Sequence, residues 1–307
     1  MHRLAILIPC FNEAVTIAKV VRDFHAGLPR ARVFVYDNGS TDETVALARE
    51  AGAEVRHEPL RGKGNVVRRM FADVEADVYV LVDGDDTYDA SAAPRMVDRL
   101  IEDSLDMVNG ARISGEGRPY RPGHALGNRM LTGTVAFLFG NRISDLLSGY
   151  RVFSRRFVKT FPALSTGFEI ETELSIHALQ LALPLAEVPT SYRERPPGSS
   201  SKLRTVSDGF WIARIIMRLL RNERPLGFFG VFSIILAALS LGFGVPVVME
   251  FFRTHLVPRQ PTAILAASLA ILSVISFVCG LILDTVSRGR VELKRLRYLS
   301  EPGLHRD

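Results

Sequence analysis

Two long apolar blocks near the end of this 307-residue chain set the firmest limit on what it can fold into. The first runs from Pro225 to Phe252 and the second from Thr262 to Leu283, and charged residues nearly vanish within both. Each exceeds the roughly 20 residues that an α-helix needs to cross a bilayer. Joined by a short polar link, Arg253 to Pro261, they predict a transmembrane hairpin rather than two buried core helices.

The flanks orient it. Arg214, Arg218, Arg221 and Arg224 precede the first block, and Arg288, Arg290, Lys294, Arg295 and Arg297 follow the second. The link carries only Arg253 and Arg259, with His255. Basic residues near span ends stay on the cytoplasmic side, so both termini are expected there, in a multi-pass protein of the cytoplasmic membrane. The net charge of +5 comes partly from these flanks and points to an anionic lipid surface, not to nucleic acid. No signal peptide is expected, because the N-terminus opens directly on a core-type strand, Leu4 to Ile8. Cys10 ends a strand and Cys279 lies within a span, so no disulfide is expected.

Ahead of the hairpin, strand and helix patterns alternate. Leu4–Ile8, Val33–Tyr36, Glu54–His57 and Val78–Val82 read as strands. Ala14, Ile17, Val20, Val21, Phe24 and Leu28 fall at helical spacing, and helices are also expected after Asp42 and from Gly62 to Ala72. Such alternation predicts a parallel sheet with helices on both faces, whose ligands sit at the carboxyl ends of the strands. The pattern then loosens. Met107–Asn109, Ser148–Ser154 and Leu185–Tyr192 read as strands, and Ala125–Phe139 and Ile170–Leu181 as helices. Ser207–Arg221 sets Phe210, Trp211, Ile215, Ile216, Leu219 and Leu220 against three arginines, the pattern of a helix lying on a membrane surface.

The chemistry gathers after the fourth strand, which ends in Val82-Asp-Gly-Asp-Asp-Thr-Tyr-Asp89. In extended backbone, residues two apart face the same side, so Asp83 and Asp85 can address one ion while Gly84 leaves room for a ligand. A hard cation, Mg2+ or Mn2+, prefers carboxylate oxygen and keeps positions open for substrate phosphates. Asp and Gly are also ordinary turn residues, so this segment alone does not decide the matter.

Ile8-Pro-Cys-Phe-Asn-Glu13, Asp37-Asn-Gly-Ser-Thr-Asp-Glu-Thr44 and Asp83-Gly-Asp85 come in this order at successive strand ends. Together they resemble the family 2 inverting glycosyltransferases, nearest the dolichyl-phosphate mannose synthase-like branch that glycosylates polyprenyl phosphates. Ser148-Gly-Tyr-Arg151, Gly167-Phe-Glu-Ile-Glu-Thr-Glu173 and Gly198-Ser-Ser-Ser-Lys202 extend the resemblance over about Leu4 to Leu203. It implies an α/β, half-Rossmann (GT-A type) nucleotide-binding domain at 1–204, and the Ser207–Arg221 pattern adds an interfacial amphipathic helix at 205–224. A transmembrane hairpin at 225–287, with spans of about 226–252 and 262–284, and a basic cytoplasmic tail at 288–307 complete the expected organisation.

By the same resemblance, Pro9, Phe11 and Glu13 line the nucleoside pocket, and Asp37 recognises base or ribose. Lys63 touches a phosphate or the base, or is a solvated loop lysine. Asp85 holds the metal, and Asp83 holds ribose, sugar or metal, with Gly84 between them. Thr87 stands where mannose synthases commonly place a Gln ligand. Arg112 and Arg129 match positions that hold the lipid phosphate, and Arg195 and Lys202 match residues that clamp phosphates when their Gly/Ser loop closes. Arg151 is set among Arg155 and Arg156, as on an ordinary basic surface.

A phosphate monoester carries about −1.5 to −2 charges at neutral pH and can attack an anomeric carbon without a general base. Transfer to a hydroxyl would need one, for which Glu169, Glu171 or Asp86 are available. The expected partners are therefore a nucleotide sugar, a polyprenyl phosphate and the membrane. The residues leave the sugar, the base and the oligomeric state open. A membrane-anchored binding module without activity is the other class of reading.

Overall fold

The computed structural model describes residues 2–114, 122–140, 142–167, 169–198 and 208–304, without the side chains of 114, 122–129, 208–213 and 215. Two compact units emerge: Met1–Gly209 with Lys294–Asp307, and Phe210–Leu293.

The first unit is built on β1 (Leu4–Cys10), β2 (Arg32–Asp37), β3 (Glu54–His57), β4 (Val78–Leu81), β5 (Met107–Ser114), β6 (Arg151–Ser154) and β7 (Leu185–Tyr192). They form one sheet in the order β3-β2-β1-β4-β6-β5-β7. Ala5 to Ile8 of β1 are buried on both faces, as a continuous apolar run in a central parallel strand must be. Between strands run α1 (Ile17–Gly27), α2 (Thr44–Glu50), α3 (Lys63–Asp73), α4 (Ala93–Glu102), α5 (Pro122–Phe139), α6 (Arg155–Thr160) and α7 (Ile170–Gln180). Ile17, Val20, Val21 and Phe24 put one stripe of α1 into the core with Ile6, Ile8 and Val35, while Lys19 and Asp23 face water.

The sheet is mixed, not parallel throughout as the alternation predicted. β6 runs antiparallel to both β4 and β5. β4 and β5 point the same way, and β6, inserted between them, runs against both. The short α6 escaped the sequence reading because six residues make too little periodicity; Ser154 Oγ caps it, accepting from Phe157 N at 3.0 Å.

In the second unit, α8 (Asp208–Glu223) leads to α9 (Pro225–Thr254), and α10 begins at Gln260 and runs to Ser300. α9 and α10 are long and apolar enough to cross a membrane, with mean hydropathy of 2.4 and 2.5 over their most apolar windows. Serines fix their register: Ser233 Oγ donates to Ser273 O (2.9 Å), Ser240 Oγ to Ala266 O (2.8 Å) and Ser276 Oγ to Phe229 O (3.1 Å). Small polar groups of this kind join helices where no water competes. Residues 288–300, read from sequence as the start of a basic tail, continue α10. The tail's contacts lie in the first unit, where Tyr298 Oη donates to the buried Asp106 Oδ2 at 2.7 Å and Arg156 stacks over the Tyr298 ring.

Candidate functional site

A cavity of about 280 Å3 opens beyond the carboxyl ends of β1 and β4. Pro9, Phe11 and Glu13 reach it from the end of β1, Lys63 from the head of α3, and Asp83, Gly84 and Asp85 from the loop after β4, with Arg195 across from them. This is where a parallel sheet presents its ligands.

Strand alternation is not what aligns the two aspartates, because β4 ends at Leu81. The loop itself turns them in. Asp86 takes a left-handed conformation, φ 57°, and is held by Lys19 Nζ at 2.7 Å. Gly84 is required by packing rather than by ligand space alone, since a Cβ there would lie 2.7 Å from Cys10 Sγ.

Each carboxylate already faces a cation. Asp85 is buried; its Oδ1 accepts from Thr87 Oγ1 at 2.6 Å and its Oδ2 pairs with Arg195 Nη2 at 2.6 Å. Burial, reinforced by the charge of Asp83, pushes the Asp85 carboxyl up. Asp83 Oδ1 lies 2.5 Å from Lys63 Nζ, which is also 2.5 Å from Glu171 Oε1 on α7. Burial alone would lower the Lys63 ammonium, but Asp83 and Glu171 together raise it, so it stays charged. Burial likewise pushes the Glu171 carboxyl up, against the pull of Lys63. Gly149 backs onto Asp83, and a methyl group in its place would overlap the carboxylate.

Two carboxylates on one loop, both lining a cavity large enough for phosphates, fit a hard divalent cation that takes its remaining oxygens from substrate and water. Among the described residues, no cluster of three His, Cys, Asp or Glu could hold a metal. Thr87 steadies Asp85, Asp86 pairs with Lys19, and Asp89 accepts from Ser91 N at 3.0 Å. These are supporting contacts that the sequence could not separate from ligation.

The other expected residues divide. Pro9, Phe11, Glu13, Lys63 and Arg195 line the cavity. Asp37 does not; its oxygens accept from Gly39 N and Ser40 N at 3.0 Å and face His57 Nδ1 at 3.2 Å, which builds a turn. Arg112, on β5, does not line the cavity either; it forms a forked pair with Asp145 and lies over the Tyr192 ring. Arg129 falls in α5 with its side chain outside the described residues, as Lys202 is altogether. Arg151 is no surface arginine: it is fully buried, donates to Leu146 O (2.8 Å) and Ser148 O (3.0 Å), and is lowered to about 10 by that burial. Two residues went unread. Arg61 stacks 4.2 Å over the Phe11 ring at the cavity wall, and Asp145 pairs Arg112 from a distant loop. Only the Arg61-Gly-Lys-Gly64 run hinted at the first.

Residues 5–161 match the description of glycosyl transferase family 2. The chain is 34% identical over 304 residues to Glycosyltransferase AglJ of Haloferax volcanii, covering 96% of this chain and 98% of that protein. It is 30% identical over 222 residues to the Dolichyl-phosphate hexose transferase of the same organism, covering 72% of this chain and 95% of that one. Among solved structures it is similar in fold to glucosyl-3-phosphoglycerate synthase from Mycobacterium tuberculosis in complex with Mn2+, UDP and glucosyl-3-phosphoglycerate. That match has a TM-score of 0.58 and 22% identity, and covers 71% of this chain and 79% of that one.

Proposed function

The chain belongs to glycosyltransferase family 2, and on that premise we propose that it moves a hexose-type sugar from a nucleotide donor to a polyprenyl phosphate at the cytoplasmic membrane face. The observation that carries this reading is the cavity where Asp83 and Asp85 face Lys63 and Arg195, in a chain with two helices apolar enough to span a bilayer. A relative named for dolichyl-phosphate hexose transfer, and a fold neighbour solved with Mn2+ and UDP, support the choice of substrates.

In this reading Asp83 and Asp85 would hold Mg2+ or Mn2+, which when bound would supply Lewis-acid stabilisation of a nucleoside diphosphate leaving group. Pro9, Phe11 and Glu13 receive the nucleoside, and the planar Arg61 over Phe11 closes one wall. Lys63, Arg195 and Lys202 supply positive charge beside the diphosphate. The acceptor phosphate, already ionised, is oriented by Arg112 and Arg129 for in-line attack with inversion at the anomeric carbon. The polyprenyl tail stays in the bilayer, so the active site has to be held there, which gives α9 and α10 their purpose. The interfacial placement of α8 and the cytoplasmic position of both termini follow from the basic flanks.

Transfer to a hydroxyl acceptor with Glu171 as base is disfavoured, because that carboxylate is given to Lys63 and does not line the cavity. The deciding experiment incubates membranes containing the protein with single nucleotide sugars and either polyprenyl phosphate or free polyprenol. Metal-dependent appearance of a lipid-linked sugar by mass from the phosphate alone supports the reading; equal use of the alcohol overturns it.

A further inference from the structure

Lys63 is pinned at both ends by the start of α7. Glu173 Oε1 and Oε2 accept from Leu164 N (2.9 Å) and Ser165 N (2.7 Å), which sets the strand of backbone ahead of the helix. That backbone packs on the Lys63 loop. Thr166 O accepts from Gly64 N at 3.1 Å, and a Cβ on Gly62 or Gly64 would overlap the carbonyls of Thr166 and Ser165. The far end of the side chain is caught by Glu171, which is buried. The ammonium therefore sits between two carboxylates, one of which, Asp83, lines the cavity while the other does not.

We propose that Glu171 is a positioning residue: it gives the Lys63 ammonium a partner other than Asp83, so that Asp83 is free to turn to a divalent cation. The inference rests on the reading of Asp83 and Asp85 as metal-holding residues. One carboxylate can bridge two cations, but each weakens its hold on the other. Without Glu171, a buried Lys63 keeps Asp83 as its only acidic partner among the described residues, and it competes with the metal for that carboxylate. With Glu171 in place, the ammonium keeps a charge-assisted bond whichever way Asp83 turns, and remains beside the diphosphate as a fixed charge. The acid at 171 thus acts through Lys63 and never reaches a substrate.

The test uses the purified full-length chain and Mn2+ binding read by electron paramagnetic resonance, with UDP and GDP as probes, beside steady-state transfer to polyprenyl phosphate. Glu171→Gln should weaken Mn2+ binding roughly ten- to a hundredfold, the range for one charged contact. It should raise the Mn2+ needed for half-maximal transfer in step and leave the KM for polyprenyl phosphate unchanged. In a Lys63→Met background the same substitution should change Mn2+ binding no further, because the competing ammonium is gone. Glu171→Asp, which keeps the charge but shortens the reach, should fall between wild type and Gln, and it serves as well if the Gln variant folds poorly. Unchanged Mn2+ binding in Glu171→Gln, with or without a fall in kcat or thermal stability, overturns the proposal, as does an equal loss in the Lys63→Met background. Mn2+ binding does not involve the acceptor, so a protein that ignores polyprenyl phosphate yet shows this pattern refutes the proposed function and leaves the role of Glu171 standing.

Discussion

Arg112 and Asp145 meet fork to fork, with Nε 2.7 Å from one carboxylate oxygen and Nη2 2.8 Å from the other, and both side chains are only 11% exposed. The pair couples β5 to the loop that enters β6, and it fixes the plane of the guanidinium. An arginine held this way presents the rest of its donors in a set direction. Arg112→Ala should therefore do two things at once. Acceptor KM should rise roughly ten- to a hundredfold, from loss of a contact worth about 1.5–3 kcal/mol. Thermal stability should also fall, since Asp145 is left buried without its partner. Arg112→Lys should recover part of each. Kinetics with donor and acceptor varied separately, beside thermal unfolding, check both; normal use of polyprenyl phosphate by Arg112→Ala removes the phosphate role.

Asp85→Ala should fold and fail to transfer. Its carboxylate is buried against Thr87 and Arg195 at the rim of the sheet, away from the core of β1 and β4. Loss of a group that supports transition-state charge costs about 2.7–4 kcal/mol, so turnover should drop at least roughly a hundredfold. Near-normal turnover at saturating Mg2+ or Mn2+ would exclude Asp85 from the metal site.

Gly149→Ala is the smallest change expected to disable the site. The added methyl overlaps the Asp83 carboxylate, which must leave its present place beside Lys63. Donor turnover should fall well over tenfold while the unfolding temperature shifts by only a few degrees. An active Gly149→Ala enzyme would mean that Asp83 has no fixed orientation to lose.

The first unit carries its own acid sensitivity in His177. The imidazole lies edge-on to Phe157 and Phe161, with Nε2 3.3 Å from Thr160 Oγ1. Burial, with a lesser push from Lys294, lowers it to about 3. An unfolded His titrates near pH 6.5, so between those values the unfolded chain binds the extra proton and stability declines as pH falls. At pH 5 the loss from this one group is about 2 kcal/mol. His177→Leu should narrow the difference in unfolding temperature between pH 8 and pH 5; an unchanged difference would place the sensitivity elsewhere.

A transmembrane hairpin of the kind proposed predicts that the protein stays with membranes through a high-salt wash, and that a tag after Asp307 is cut by protease only once cells are opened. Release by salt, or cleavage from outside intact cells, would refute the two spans or their orientation.

Local chemistry determined much of this molecule. Leu4–Ile8 could only be a buried strand, Ile17 to Phe24 only an amphipathic helix, and the two apolar blocks only long apolar helices, because each pattern is complete within one element. The ordered strand-end motifs likewise gave the family and most of the cavity wall, since a parallel sheet carries the ends of its strands to one side. Tertiary structure decided the rest. Glu171 is 108 residues from Lys63, Asp145 is 33 from Arg112, and Gly149 meets Asp83 from the loop ahead of β6. No periodicity links such residues. Whether a buried charge reads as Lys63 between two acids, as Asp37 folded into its own turn, or as Arg151 satisfied by carbonyls depends on which partner the packed chain brings within 3 Å. Burial makes that partner obligatory, and only the fold can supply it.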